Sequence, residues 1–145
     1  MWSYQHTSDT PAAPEVVWRL YSDVSTWPTW NTAVAKVDLR GPFAAGTTGE
    51  LTPPGAAPLP FRIVAAEENE GYTSETDIAE TVTLRTTSRI SPLPEGGTRI
   101  SHQAELVGPA AEFFGQSFGP TLAAGVPRTT EAVARHAAEV EESLL

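Results

Sequence analysis

The chain has 145 residues, enough for one domain that buries roughly two thirds of the surface its unfolded form exposes, and it carries a net charge of -9 with a single lysine. Nucleic acids and anionic membrane surfaces both call for clustered cations, so such partners are disfavoured. The lack of cysteine removes disulfides, thiolate metal sites and a cysteine nucleophile, and with no apolar leader or long apolar run a soluble, cytoplasmic protein without membrane insertion is expected.

Trp2 to Thr7 alternates as an extended strand does. Pro14 then suits the first position of a helix, where its missing N–H costs nothing, and Glu15 complements the positive end of the helix dipole. Val17, Leu20, Tyr21 and Val24 recur at helical spacing, so that one face is buried while Arg19, Ser22 and Asp23 turn elsewhere. Ser25 is placed to cap the next turn, and Pro28 restricts Trp27, which sets Trp27 and Trp30 at a helix corner.

From Ala33 to Gly108 the pattern is one of strands: Val34 to Arg40, Thr47 to Thr52, Phe61 to Ala66, Tyr72 to Ile78, Val82 to Ile90 and Thr98 to Val107. Gly and Pro clusters separate them, and connections this short leave no room for crossover helices, so an antiparallel meander is predicted. Trp2 to Thr7 adds a seventh strand that returns to the sheet from a distance. In the last two strands, Val82, Leu84, Thr86, Ser88 and Ile90, with Ile100, His102, Ala104 and Leu106, form the inward set, leaving Arg85, Arg89, Arg99 and Glu105 outside. With Thr86, Ser88 and His102 on it, this inner face is more polar than an ordinary core. The stretch Leu51 to Pro60 is flexible in composition and is expected at a cavity rim.

A loop containing Phe113, Phe114 and Phe118 leads into a long helix striped by Leu122, Val126, Val133, Ala137, Val140 and Leu144. Pro127, in its first third, removes one backbone hydrogen bond and bends it, so that the helix arches over the sheet without filling the space beneath.

Ala13-Pro14-Glu15 with Val17-Trp18 and Ser22-Asp23, Trp27-Pro28 and Trp30-Asn31, Gly41-Pro42-Phe43 with Gly46-Thr47, Gly97-Thr98-Arg99-Ile100 with His102, and Glu105-Leu106 with Gly108-Pro109 stand in this order of elements. The whole resembles the START/Bet v 1-like (SRPBCC) superfamily, and specifically its bacterial polyketide cyclase/dehydrase-like branch. The resemblance covers nearly the full chain and implies one α+β domain over residues 1–145 with the helix-grip fold. In that fold a seven-stranded curved antiparallel sheet wraps around a long C-terminal helix, two short helices follow the first strand, and a deep hydrophobic cavity lies between sheet and last helix. Members include aromatic cyclases, dehydratases, lipid and hormone carriers and chaperone activators, so fold is implied more firmly than any one reaction.

His102 is the candidate catalytic residue, an inward imidazole whose pKa its surroundings set; the plainer alternative is a core histidine bonded to a neighbouring strand, to Thr86 or to Ser88. Trp30, Asn31, Phe61, Thr76, Leu84, Thr86, Ser88, Phe114, Phe118, Leu122 and Val126 are the candidate ligand-binding residues, each also able to serve as ordinary packing. Glu50, Glu75 and Asp77 lie within strands; with Tyr72, Ser74, Thr76 and Ile78 inward, Glu75 and Asp77 fall on the solvated face, as does Arg62 beside Phe61 and Ile63. His6, His102 and His136 are far apart with no carboxylate at ligand spacing, so no metal is expected, and no phosphate-binding or nucleophile-elbow motif is present.

The leading expectation is a cofactor-independent cyclase or dehydratase, hence a lyase, that folds a hydrophobic polyketide-type or aromatic substrate and moves protons with His102. The alternative is a non-catalytic carrier or sensor of a hydrophobic ligand. A third class, an interaction module, is marked by an exposed apolar patch, a filled interior and a cavity below roughly 300 Å³. Monomer and homodimer both stay open, since edge strands invite pairing but no strongly apolar exposed face is evident. The arrangement of known aromatase side chains is not recognisable here, and the ligand is not specified.

Overall fold

The computed structural model describes residues 2–144. Strand β1 (Trp2–Thr10) is followed by α1 (Pro14–Ser22), a single 3-10 turn at Val24–Thr26 and α2 (Trp27–Trp30). The meander then runs through β2 (Lys36–Leu39), β3 (Thr48–Thr52), β4 (Leu59–Glu67), β5 (Gly71–Ala79), β6 (Val82–Pro92) and β7 (Thr98–Val107), and α3 (Ala111–Ser143) closes the chain. All neighbours are antiparallel in the order β1-β7-β6-β5-β4-β3-β2, so β1 does return from a distance, to the side of β7. This is the helix-grip α+β fold that the succession of elements implies.

Alternation decides the two faces of the sheet. Val82, Ser88, Ile90, Ile100, His102, Ala104 and Leu106 are buried beneath the helices, while Arg85 pairs across the strands with Glu105 on the other side. There Arg62 donates from Nε to Glu75 at 2.9 Å and from both terminal nitrogens to Asp77 at 3.1 Å, and Arg85 donates to the second Glu75 oxygen at 2.9 Å. Arg62, Glu75 and Asp77 therefore lie on the convex outer face as the alternation predicts, and the Arg62 hydrogen bond holds the Asp77 carboxyl below its ordinary range.

The buried side is filled unevenly. Toward β4 and β5 an aromatic cluster occupies the space: Trp27 stands edge-on to Phe61 at 5.7 Å, and Tyr21 edge-on to Tyr72 at 5.0 Å. A smaller cluster of Val82, Leu106 and Ala111 closes the opposite end of β6 and β7 under the start of α3. Buried threonines lock the frame, with Thr10 Oγ1 donating to the Ala134 carbonyl at 2.8 Å and Thr98 Oγ1 to that of Ala12 at 2.7 Å.

Several local expectations are corrected. Asp23, not Ser25, caps the turn after α1, its carboxylate accepting from the Ser25 amide at 3.1 Å and the Ser25 hydroxyl at 2.6 Å. A carboxylate is the better acceptor for those orphan donors. Phe113, Phe114 and Phe118 lie in the first turns of α3 instead of a loop, Pro127 falls near the helix midpoint, and Pro120 is also inside it. The glycines of this stretch have a packing role: a Cβ on Gly115 would stand 2.9 Å from Trp2 Cβ, and one on Gly119 would meet the Trp2 indole. Leu59 and Pro60 pair with Leu51 and Glu50, so strand consumes both ends of the expected flexible segment.

Candidate functional site

Between the two clusters α3 does not reach the sheet, and a cavity of about 280 Å³ remains. Its floor is the middle of the last two strands, with Leu84 and Thr86 from β6 and His102 and Ala104 from β7. Its roof is one face of α3, where Thr121, Leu122, Gly125, Val126, Arg128 and Thr129 recur at helical spacing. Asn31, Thr32 and Ala33, just after α2, form its rim, so the segment Leu51 to Pro60 is not the rim. The volume falls just below roughly 300 Å³, where the ligand-pocket range begins, and so on the side expected of an interaction module. Two depressions near the start of α3, one beside Gly108 and Pro109 and one beside Trp2 and Gln116, are each lined by Glu112 and hold no titratable cluster among the described residues.

His102 joins the cavity to the core. It is 4% exposed, and its Nε2 lies 2.7 Å from the Tyr21 hydroxyl. The contact holds in either tautomer: with the ring proton on Nδ1, Nε2 accepts from the hydroxyl, and with it on Nε2 the ring donates to the phenol oxygen and leaves the Nδ1 lone pair free. Burial, reinforced by His6 directly opposite on β1, lowers the imidazole pKa from 6.5 to about 4, so the ring is neutral at neutral pH. Burial also pushes the Tyr21 and Tyr72 phenols well above the ordinary tyrosine range, keeping both protonated. Ser88 lies in register between Tyr72 and His102. Its hydroxyl stands near enough to both phenols to moderate their rise, yet among the described residues it has no partner in hydrogen-bonding geometry.

The structure brings Asn31, Leu84, Thr86, Leu122 and Val126 together with His102 around the cavity. Trp30, Phe61, Thr76 and Ser88 are instead buried outside its lining: Trp30 is 2% exposed and donates its indole N–H to Thr26 Oγ1 at 3.2 Å, and Phe61 packs on Trp27. Phe114 and Phe118 stack on each other at 4.4 Å, with Phe118 turned toward solvent. Tyr21 is the residue that pattern reading assigned to support alone. Its signal was present: a phenol in a buried helical stripe requires a hydrogen-bond partner. The α3 residues Thr121, Gly125, Arg128 and Thr129 share the face of Leu122 and Val126 and were legible only by extending that stripe sideways.

The family model for polyketide cyclase / dehydrase and lipid transport matches residues 1–141. No curated protein matches the chain by sequence. Among solved structures, a Mesorhizobium loti protein is similar at 17% identity and a TM-score of 0.73, covering 92% of this chain and 95% of that one. A START superfamily protein from Mycobacterium smegmatis is similar at 16% identity and 0.66, over 99% of both chains. A Thalictrum norcoclaurine synthase point mutant, in complex with a transition-state analogue, is similar at 14% identity and 0.67, covering 95% of this chain and 94% of that one. At such identities the likeness to these structures is one of fold.

Proposed function

The chain belongs to this polyketide cyclase/dehydrase and lipid-transport family, and we propose that it binds a compact hydrophobic, aromatic or polyketide-type molecule under α3 and promotes its cyclisation or dehydration without a cofactor. One observation carries the reading: His102 lines the cavity while Tyr21 holds its Nε2 from behind. A histidine serving packing alone has no need to face an open volume.

The proposed chemistry is a proton relay. With the ring proton on Nε2 and donated to the Tyr21 oxygen, the neutral imidazole accepts at Nδ1 a proton from an activated carbon of the bound substrate, and the imidazolium, made acidic by burial, returns it from Nδ1 to a hydroxyl that departs as water, so no net proton is consumed. Tyr21 fixes the ring orientation, Thr86 offers a hydroxyl to a substrate carbonyl, and the cavity walls hold a flexible chain in a folded shape. Native mass spectrometry of the purified protein names the ligand mass, and turnover of that ligand is then compared between the wild type and His102→Gln. General acid–base catalysis predicts a loss of ~10²-fold or more in rate with binding retained. Full turnover by the variant rules out the relay, and release of unaltered ligand identifies a carrier. Absence of any bound small molecule, together with a partner held at the exposed Phe113, identifies the interaction class that the modest cavity volume also fits.

A further inference from the structure

The cavity differs from the rest of the chain in charge. The protein carries 18 acidic against 9 basic side chains, yet no carboxylate lines the cavity and one guanidinium, that of Arg128, does. Arg62, Arg85 and Arg99 are each held by a carboxylate, whereas Arg128, like Arg19, Arg40, Arg89 and Arg135, makes no ion pair among the described residues, and of these it is the one that lines the cavity. It stands on the α3 face beside Thr129, with the Asn31 amide on the rim, while the floor and roof present Leu84, Leu122 and Val126. The lining therefore combines apolar walls and the neutral Thr86 and His102 with a single positive charge, on the exposed Arg128 at its mouth. In a chain whose net charge of -9 repels anions, a free guanidinium at the mouth is the local feature able to hold one.

We infer that the cavity selects an amphipathic acid: an apolar body of about two fused rings at most, packed on Leu84, Leu122 and Val126, with a carboxylate or comparable anionic group held by Arg128. This deepens, and rests on, the reading of the cavity as a ligand site. An extended polyketide or a sterol exceeds a volume of about 280 Å³. A single-ring or bicyclic acid fits it.

Two fluorescent probes that share a bicyclic skeleton test the charge separately from the cavity: naphthalene-2-sulfonate and its uncharged parent naphthalene. Arg128→Gln is expected to weaken the sulfonate about fivefold, as a solvent-accessible ion pair does, and to leave the parent within about twofold. Arg128→Lys restores part of the difference, and raising salt weakens only the sulfonate. Equal loss of both probes in Arg128→Gln, or loss of neither, overturns the anion assignment while the ligand site stands. If the wild type binds neither probe, or if both bind undiminished after Gly125→Leu fills the cavity, the ligand-site reading itself fails and the anion assignment with it.

Discussion

Gly125 offers the sharpest test of how α3 and the sheet create this cavity. A Cβ built on it meets nothing within 4 Å, although the residue lies inside a helix and lines the cavity. Replacing it by leucine gains about 0.8–1 kcal/mol of helix propensity, because leucine has less backbone freedom to lose than glycine. Burial of part of the new side chain against Leu84 and Leu122 adds up to about 1 kcal/mol, at roughly 25 cal/mol per Å² of apolar area. The expected net stabilisation of about 1–2 kcal/mol raises Tm by roughly 3–7 °C in a domain of this size. Gly115 is the internal control, being on the same helix with the same propensity gain, but its Cβ would lie 2.9 Å from Trp2 Cβ. Overpacking costs typically about 1–3 kcal/mol, so Gly115→Ala is expected to lower Tm or leave it level. Paired thermal melts, with binding of naphthalene as the second readout, decide the matter. A Gly125→Leu variant that is less stable than wild type, or that binds the probe as well, would falsify the gap between α3 and the sheet.

Two further outcomes follow from individual contacts. Between the ordinary histidine value of 6.5 and the folded value of about 4, the unfolded chain binds a proton that the folded chain refuses, so His102 makes stability fall as pH drops through that window. The contribution is intact above pH 6.5 and amounts to roughly 3 kcal/mol once fully lost; urea titrations of the wild type and His102→Asn from neutral pH to pH 4 should diverge by about that much, and parallel curves would exclude it. Glu141 accepts from the Ala13 amide at 2.8 Å, supplying from α3 the cap that α1 lacks on its own N-cap side chain. Glu141→Ala should therefore cost about 1 kcal/mol and lower Tm by roughly 2–4 °C, while Glu141→Gln, which keeps an acceptor, recovers most of it in the same melt.

The sheet was readable because its signal is local. Strict alternation through Thr98–Val107 places His102, Ala104 and Leu106 on the buried face whatever the neighbouring strands do, and Gly-Pro punctuation separates the strands. Arg62, Glu75 and Asp77 follow the same rule, and their mutual pairing on the convex face is its consequence. The stretch from Phe113 to Gly119 is helix where a loop is expected, and Gly115 and Gly119 lie inside it. They stand in a helix so that the Trp2 indole, from the other end of the chain, can lie against it. The candidate site was legible in part: the strip of Leu84, Thr86 and His102 follows from strand periodicity, and Leu122 with Val126 from helical periodicity. The need of Tyr21 for a partner and the place of Arg128 beside the α3 stripe follow from pattern too, but that Tyr21 meets His102 and that Arg128 reaches the cavity do not, because each depends on how far one element stands from another.

Local pattern thus determined the succession of elements and the face on which each inward side chain lies, since both follow from periods of two and 3.6 residues along the backbone. Tertiary structure alone decided that Tyr21 meets His102, that aromatic rings fill one half of the concave sheet, and that a gap remains under Gly125 beside Arg128. A cavity is a mismatch between distant surfaces. Its position is set by the separation of α3 from β6 and β7, which no periodicity within either element encodes.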